Sequence, residues 1–217
     1  MIKQINNNTN PPHLFKQYIS TQDRAPRKKF FQLNYNFKDI FKNKSTDKNS
    51  NNNLLNYKKN KSPIGQKIII SGIIFDKSGK PLPNVFIEIW QANASGKYRD
   101  VKDTHNASID KNFLGCGNTI SNSKGLYKFF TIMPGAYPWK NHKNAWRPKH
   151  IHFSLLSANF YSRLCTQMYF PNDLLLKYDP IFNSVPYKYR KLLIAQFDSN
   201  YNSVPDFISY NFNIVMP

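Results

Sequence analysis

Hydrophobic and polar positions change rhythm at about residue 63. Beyond it, QKIIISGIIFD is a β-rich run with a glycine inside, and KSGKPLPN supplies turn residues. VFIEIWQAN then alternates Val85, Ile87 and Ile89 against Phe86, Glu88 and Trp90, the period-2 pattern of a strand with two unlike faces. LYKFFTIM, HIHFSLL, CTQMYF and ISYNFNIV are further strands by the same reading, and PYKYRKLLIAQF predicts one helix over about 186 to 197. Short strands joined by Gly, Pro and Asn turns predict an all-β fold, a sandwich or barrel-like core with few short helices. No internal repeat interrupts this pattern.

The chain ahead of this core has another texture. Residues 1–38 are polar, with Pro11-Pro12 and a basic segment from Arg24 to Lys29, and read as an extended N-terminal arm. Residues 39–62 form a low-complexity Asn/Lys-rich stretch that reads as a solvated loop carrying little chemistry. Residues 63–217 form the β domain.

Composition changes this picture little. With 217 residues, 40% of them hydrophobic and 15% aromatic, the chain can bury one sizeable core. The formal net charge of +19 would suit nucleic acid, but lysine is scattered along the whole length in company with Asn, Ile, Tyr and Phe. That distribution reads as compositional drift, and no helix-turn-helix, zinc-finger or RNP-like pattern accompanies it, so no nucleic-acid partner is expected. Cys116 and Cys165 form no C-x-x-C pair, which fits a reducing compartment. MIKQINNNTNPPHLF lacks the apolar core of a signal peptide, and no run reaches bilayer length, so the expectation is a cytoplasmic protein without a membrane partner.

The candidate chemistry lies in RPKHIHFSLL. On a strand, His150 and His152 share one face while Ile151 and Phe153 pack on the other. Such a pair is either two hydrogen-bonded histidines or the grip of a metal site, and H-x-H alone does not decide. Upstream, MPGAYPWKNHKNAWRPKH places Tyr137 after a glycine turn, followed by Trp139, Trp146 and Arg147, while IWQANASGKYRD puts Tyr98 at a strand end after a glycine. Two phenols and two imidazoles make a hard oxygen and intermediate nitrogen donor set, suited to a trivalent metal such as ferric iron. Free tyrosine, with a pKa of about 10, would not ionise at neutral pH, but a highly charged cation reverses that preference.

Two stretches, IIISGIIFDKSGKPLPNVFIEIWQANASGKYRD and SKGLYKFFTIMPGAYPWKNHKNAWRPKHIHFSLL, resemble the intradiol ring-cleavage dioxygenases. Within that family the likeness is to the iron-bearing β-subunit type that cleaves protocatechuate. It covers residues 63–217, including CTQMYFPND and YNFNIV, and extends more weakly to QYISTQDRAPR in the arm. The resemblance implies one non-haem ferric ion per chain on Tyr98, Tyr137, His150 and His152, with Tyr137 and His152 axial. It implies an arginine at Arg147 whose cation stabilises negative charge on the bound ring, a glutamine near the metal at Gln167, and aromatic pocket walls at Trp90 and Trp139. Tyr18 and Arg24 match arm residues beside a substrate carboxylate.

The reaction so implied is cleavage of a catechol with O2, protocatechuate giving 3-carboxy-cis,cis-muconate, in company with an α-type subunit of the same fold. Catechol or hydroxyquinol 1,2-dioxygenase-type activity and a non-catalytic module of the same fold are the competing expectations. The first group carries a helical dimerisation region for which the polar arm gives no sign, and the second lacks the ligands. This chain departs from the family pattern in the Asn/Lys-rich residues 39–62 and, within THNASIDKNFLGCGN, at Cys116 and Asn118.

Overall fold

The computed structural model describes residues 51–56, 61–139, 145–157, 163–199 and 204–216. In chain order the strands are β1 (Lys67–Phe75), β2 (Val85–Trp90), β3 (Cys116–Ile120), β4 (Leu126–Ile132), β5 (Tyr137–Pro138), β6 (Trp146–Arg147), β7 (His150–Ser157) and β8 (Arg163–Tyr169). Two short helices follow, α1 (Pro180–Ser184) and α2 (Tyr187–Arg190), and then β9 (Gln196–Phe197), β10 (Phe207–Asn211) and β11 (Ile214–Val215).

One sheet runs β3-β2-β7-β8, antiparallel throughout. The other is centred on β1, which pairs antiparallel with β4 on one side and parallel with β10 and then β11 on the other. β9 closes this second sheet by pairing with β10. The two sheets stay open and share one core: Ile68, Ile70 and Phe129 from one, Ile87, Ile89, Ile151, Phe153 and Met168 from the other. The fold is therefore the sandwich of the two expected architectures. The alternation that predicts β2 is realised up to Glu88, with Val85 and Ile87 buried and Phe86 and Glu88 half-buried; Trp90 departs from it by being buried as well. Each buried aliphatic side chain of this kind stabilises the fold by about 1.5–3 kcal/mol.

Two expectations change. The stretch at 186–197 is no single helix: α2 ends at Arg190, a 3-10 turn covers Lys191–Leu193, and Gln196–Phe197 is a strand. Leu193 is buried, and the Ala195 amide donates to the Tyr169 carbonyl (2.9 Å), so sheet pairing captures the segment before an isolated short helix could hold it.

The Asn-rich stretch, expected as a solvated loop, enters the sandwich where it is described. Asn51 bridges Asn118 on β3 and Asn53 bridges Phe130 on β4, so the segment ties the edges of both sheets together. The next residues, Leu54 and Leu55, are in the core. Asparagine side chains help to hold it, Asn52 Nδ2 donating to the Lys128 carbonyl at 3.2 Å and Asn53 Oδ1 accepting from the Leu55 amide at 3.1 Å, while the two leucines bury its far end. No helix among the described residues is long and apolar enough to cross a membrane.

Candidate active site

Two loops meet to bring Tyr98 beside Tyr137. Asn93 Oδ1 accepts from the amides of Ser95 (3.0 Å) and Lys97 (2.9 Å), winding the chain after β2 into a tight turn. Gly96 stands in that turn at φ +78°, and a β-carbon there would run into the carbonyl of Ala136. Gly135, across the contact, has the Ala94 carbonyl and the Gly96 amide in the same position. The two glycines let the backbones touch, and Tyr98 and Tyr137 emerge with their rings edge to face at 5.3 Å. Asp103 fixes the far side, accepting from the Tyr98 amide at 2.7 Å and pairing with Lys97 at 3.6 Å.

The histidines come from β7. Ile151 and Phe153 face the core, while His150 and His152 share the opposite face with ring centroids 4.9 Å apart. Register sets their neighbours: His152 lies opposite Trp90 on one side and Gln167 on the other, and His150 opposite Tyr169. The Trp90 indole stacks on the His152 ring at 4.8 Å with the planes 3° apart, which fixes that imidazole's tilt. His150 is fixed by a hydrogen bond of 2.7 Å between Nδ1 and the Pro148 carbonyl. A carbonyl only accepts, so Nδ1 carries the proton.

Burial, with Arg147 and His152 nearby, holds His150 well below the ordinary histidine range, so the ring is neutral and Nε2 presents a lone pair. That lone pair meets the Tyr137 hydroxyl at 3.2 Å. Burial also pushes the Tyr98 and Tyr137 phenols up, Tyr98 the further, because desolvation penalises phenolate. The Tyr98 hydroxyl is buried beside the Tyr137 phenol, whose charge and hydrogen bond hold it further from ionisation. Two imidazoles and two phenols thus converge in a dry place. Among the described residues no cluster of three or more His, Cys, Asp and Glu could hold a metal ion. The buried Tyr98 and Tyr137 oxygens and the two imidazole nitrogens make a set that fits a hard cation.

Beside these donors lies a buried polar network. β5 and β6 pair Tyr137 with Arg147 directly. The Arg147 guanidinium, 1% exposed, meets Asp179 through Nε at 3.0 Å and Nη2 at 3.3 Å. Nη2 also donates to Gln167 Oε1 at 2.6 Å and to the Tyr169 hydroxyl at 3.1 Å. Neighbouring anionic and phenolic groups outweigh desolvation and raise the Arg147 pKa further, so the cation is permanent.

A dioxygenase family profile matches residues 40–217. The protocatechuate 3,4-dioxygenase beta chain of Burkholderia cepacia is 41% identical over 212 residues, 96% of this chain and 90% of the relative. The chain is an intradiol ring-cleavage dioxygenase. The protocatechuate 3,4-dioxygenase alpha chain of Pseudomonas putida is 29% identical over 110 residues, 50% of this chain and 51% of the relative. The solved 3-chlorocatechol 1,2-dioxygenase of Rhodococcus opacus 1CP superposes with a TM-score of 0.56 at 26% identity, covering 70% of this chain and 60% of that one.

In this intradiol dioxygenase, Tyr98, Tyr137, His150 and His152 come together from one loop and two strands, β5 and β7, and Arg147 and Gln167 join directly beside them. Trp90 is a stacking partner of His152. Trp139 continues the β5 ribbon, its amide donating to the Ala145 carbonyl at 2.8 Å. Tyr18 and Arg24 lie outside the described residues. Sequence reasoning missed Tyr169 and Asp179. Tyr169 is signalled by its register opposite His150, and Asp179 by standing directly before the Pro180 that opens α1, as an N-cap.

Proposed function

We propose that this dioxygenase is the catalytic, β-type subunit of a protocatechuate 3,4-dioxygenase-like enzyme. It binds one ferric ion through Tyr98, Tyr137, His150 and His152 and cleaves protocatechuate with O2 to 3-carboxy-cis,cis-muconate. The observation that carries the reading is the convergence of these four donors, Tyr98 edge to face with Tyr137, the Tyr137 hydroxyl on His150, and His150 beside His152. The chemistry that ferric iron supplies, when bound, is Lewis-acid activation of a coordinated catechol toward dioxygen.

The chain's own residues do the rest. His150 and His152 enter as neutral donors, one fixed by the Pro148 carbonyl and one by Trp90. With ferric iron bound, Tyr98 and Tyr137 would be its anionic donors, and Tyr137, hydrogen-bonded to His150, would be the one able to take up a proton released by the catechol. Arg147 supports negative charge that develops on the ring, as a preorganised cation needing no reorientation. Gln167 orients groups at the metal, Trp90 and Trp139 wall the pocket, and Tyr18 with Arg24 holds the substrate carboxylate. An α-type subunit is the expected partner, as the alpha and beta chain names of the relatives support, and the cytoplasm the expected compartment.

The test is kcat/KM for protocatechuate against catechol, with Tyr18→Phe beside the wild type and any α-type partner co-expressed. Loss of a charge-assisted hydrogen bond, about 1.5–3 kcal/mol, should give the wild type roughly ten- to a hundred-fold discrimination that the variant reduces. Equal use of both substrates by the wild type would reassign it to catechol 1,2-dioxygenase-type activity. Stoichiometric zinc, or no metal, in the purified protein would refute the iron site.

A further inference from the structure

Asp179 is completely buried and sits at a junction. One carboxylate oxygen, Oδ1, accepts from the Ile181 amide at 3.2 Å, capping α1, and faces Arg147 Nε at 3.0 Å. The other, Oδ2, faces Arg147 Nη2 at 3.3 Å and the Tyr169 hydroxyl at 3.1 Å. The carboxylate therefore faces the guanidinium with both oxygens, an ion pair at Nε and a hydrogen bond from Nη2, and this close opposite charge holds the group in position. Held so, Nη2 points at Gln167 Oε1, and the Tyr169 hydroxyl lies 2.9 Å from the same oxygen. Arg147 can only donate, so its Nη2 decides the amide's orientation: the oxygen of Gln167 faces Arg147, and the NH2 group turns to the opposite side, while the single Tyr169 proton lies between Asp179 Oδ2 and the same Gln167 oxygen.

We propose that Asp179 is a positioning residue for the ring-cleavage reaction: it orients Arg147 and, through Arg147 with Tyr169, the Gln167 amide. The inference rests on the functional reading above only for the kinetic part of its test. Its geometric part stands on the buried network. A guanidinium whose neighbouring carboxylate is removed keeps its charge but loses the anion that holds it in place, and a charge that must reorient during the reaction supports the developing negative charge less.

Asp179 has a second duty, the cap on α1, and one substitution separates the two. Asparagine caps helices as well as aspartate does, so Asp179→Asn preserves the start of α1 while withdrawing the negative charge from Arg147. If Asp179 only caps the helix, the variant turns over like the wild type. If it positions Arg147, kcat falls roughly ten- to a hundred-fold, KM changes less than about threefold, and iron per chain is unchanged. A crystal structure of the variant should then show the guanidinium rotated away from Gln167. Wild-type kcat, or an unmoved guanidinium, would overturn the proposal.

Should Asp179→Asn not be recovered folded, Asp179→Glu keeps the charge but adds a methylene in a site with no spare room. It should show the same split between kcat and KM with Arg147 displaced, and wild-type turnover with a displaced guanidinium would overturn the proposal equally. Failure of the wild type to cleave any catechol would instead refute the functional reading, and the position of Arg147 in the variant would still decide what Asp179 does.

Discussion

Gly96→Ala tests whether the close approach of two backbones builds the donor set. The comparison is Gly79→Ala. Gly79 has φ +83° and Gly96 φ +78°, but a β-carbon at Gly79 meets nothing within 4 Å, whereas one at Gly96 meets the Ala136 carbonyl. Left-handed backbone strain alone costs an alanine about 1–2 kcal/mol, and this applies at both positions. At Gly96 the obstacle is main chain, which cannot rotate away, so overpacking adds about 1–3 kcal/mol. For a domain of this size 1 kcal/mol lowers Tm by about 2–4 °C. Gly79→Ala should therefore melt roughly 2–8 °C below the wild type, and Gly96→Ala roughly 4–20 °C below, with both measured on iron-free protein to exclude metal linkage.

The functional consequence is sharper than the thermal one. To clear the Ala136 carbonyl the Tyr98 loop must part from β5 by about 1 Å, a misplacement of the kind that costs on the order of a hundred-fold in rate. Iron per chain and the visible tyrosinate-to-iron band should both fall in Gly96→Ala and stay at wild-type values in Gly79→Ala. Equal melting temperatures in the two variants, with full iron in both, would refute the reasoning.

Other outcomes follow from the same geometry. Tyr137→Phe should keep substantial iron while slowing catechol binding and product release in stopped-flow measurements; unaffected turnover would contradict its role as the exchangeable ligand. Leu54→Ala should destabilise the fold by about 2–5 kcal/mol in urea unfolding, because Leu54 is buried between the sheets; a surface-like loss below about 0.5 kcal/mol would return the Asn-rich turn to the solvent. Burial, with Glu88 nearby, pushes the Cys116 thiol up to about 11. At pH 8 its thiolate is scarce, and reaction with a disulfide reagent should run roughly 20-fold slower than free cysteine even after allowing for the greater nucleophilicity of a basic thiolate.

What was legible in the sequence was local and periodic. Period-2 alternation is a direct image of a pleated strand with one apolar face, so HIHFSLL gave β7 its orientation and set the two histidines on one side. GKY and PGAY could be read as turns delivering tyrosines because glycine before a functional residue signals tight backbone. The run PYKYRKLLIAQF was misread because apolar residues there serve two short helical turns and a strand edge in succession, and no single period separates these from one helix. The leucines after NNN were lost in a polar composition that describes the average of a segment and not its two buried members.

The buried network is the harder case, and the reason is physical. Asp179 lies 32 residues from Arg147 in sequence, and neither residue's neighbours along the chain show that both will be desolvated. A carboxylate before proline looks like a helix cap, and in this protein it is one. Its other duty follows only once β6 has carried Arg147 inward and the turn after β8 has brought α1 against it. At that point a fully buried cation requires an anion, since removing one partner of such a pair typically costs about 3–5 kcal/mol. The sequence of the strands supplies donors that could hold a metal; the tertiary closure behind them supplies the fixed charge that gives those donors a directed neighbour. Testing the ligands alone would leave this second layer unseen, because the hydrogen bonds of Asp179 run to Arg147, Tyr169 and the start of α1 and not to the four donor side chains.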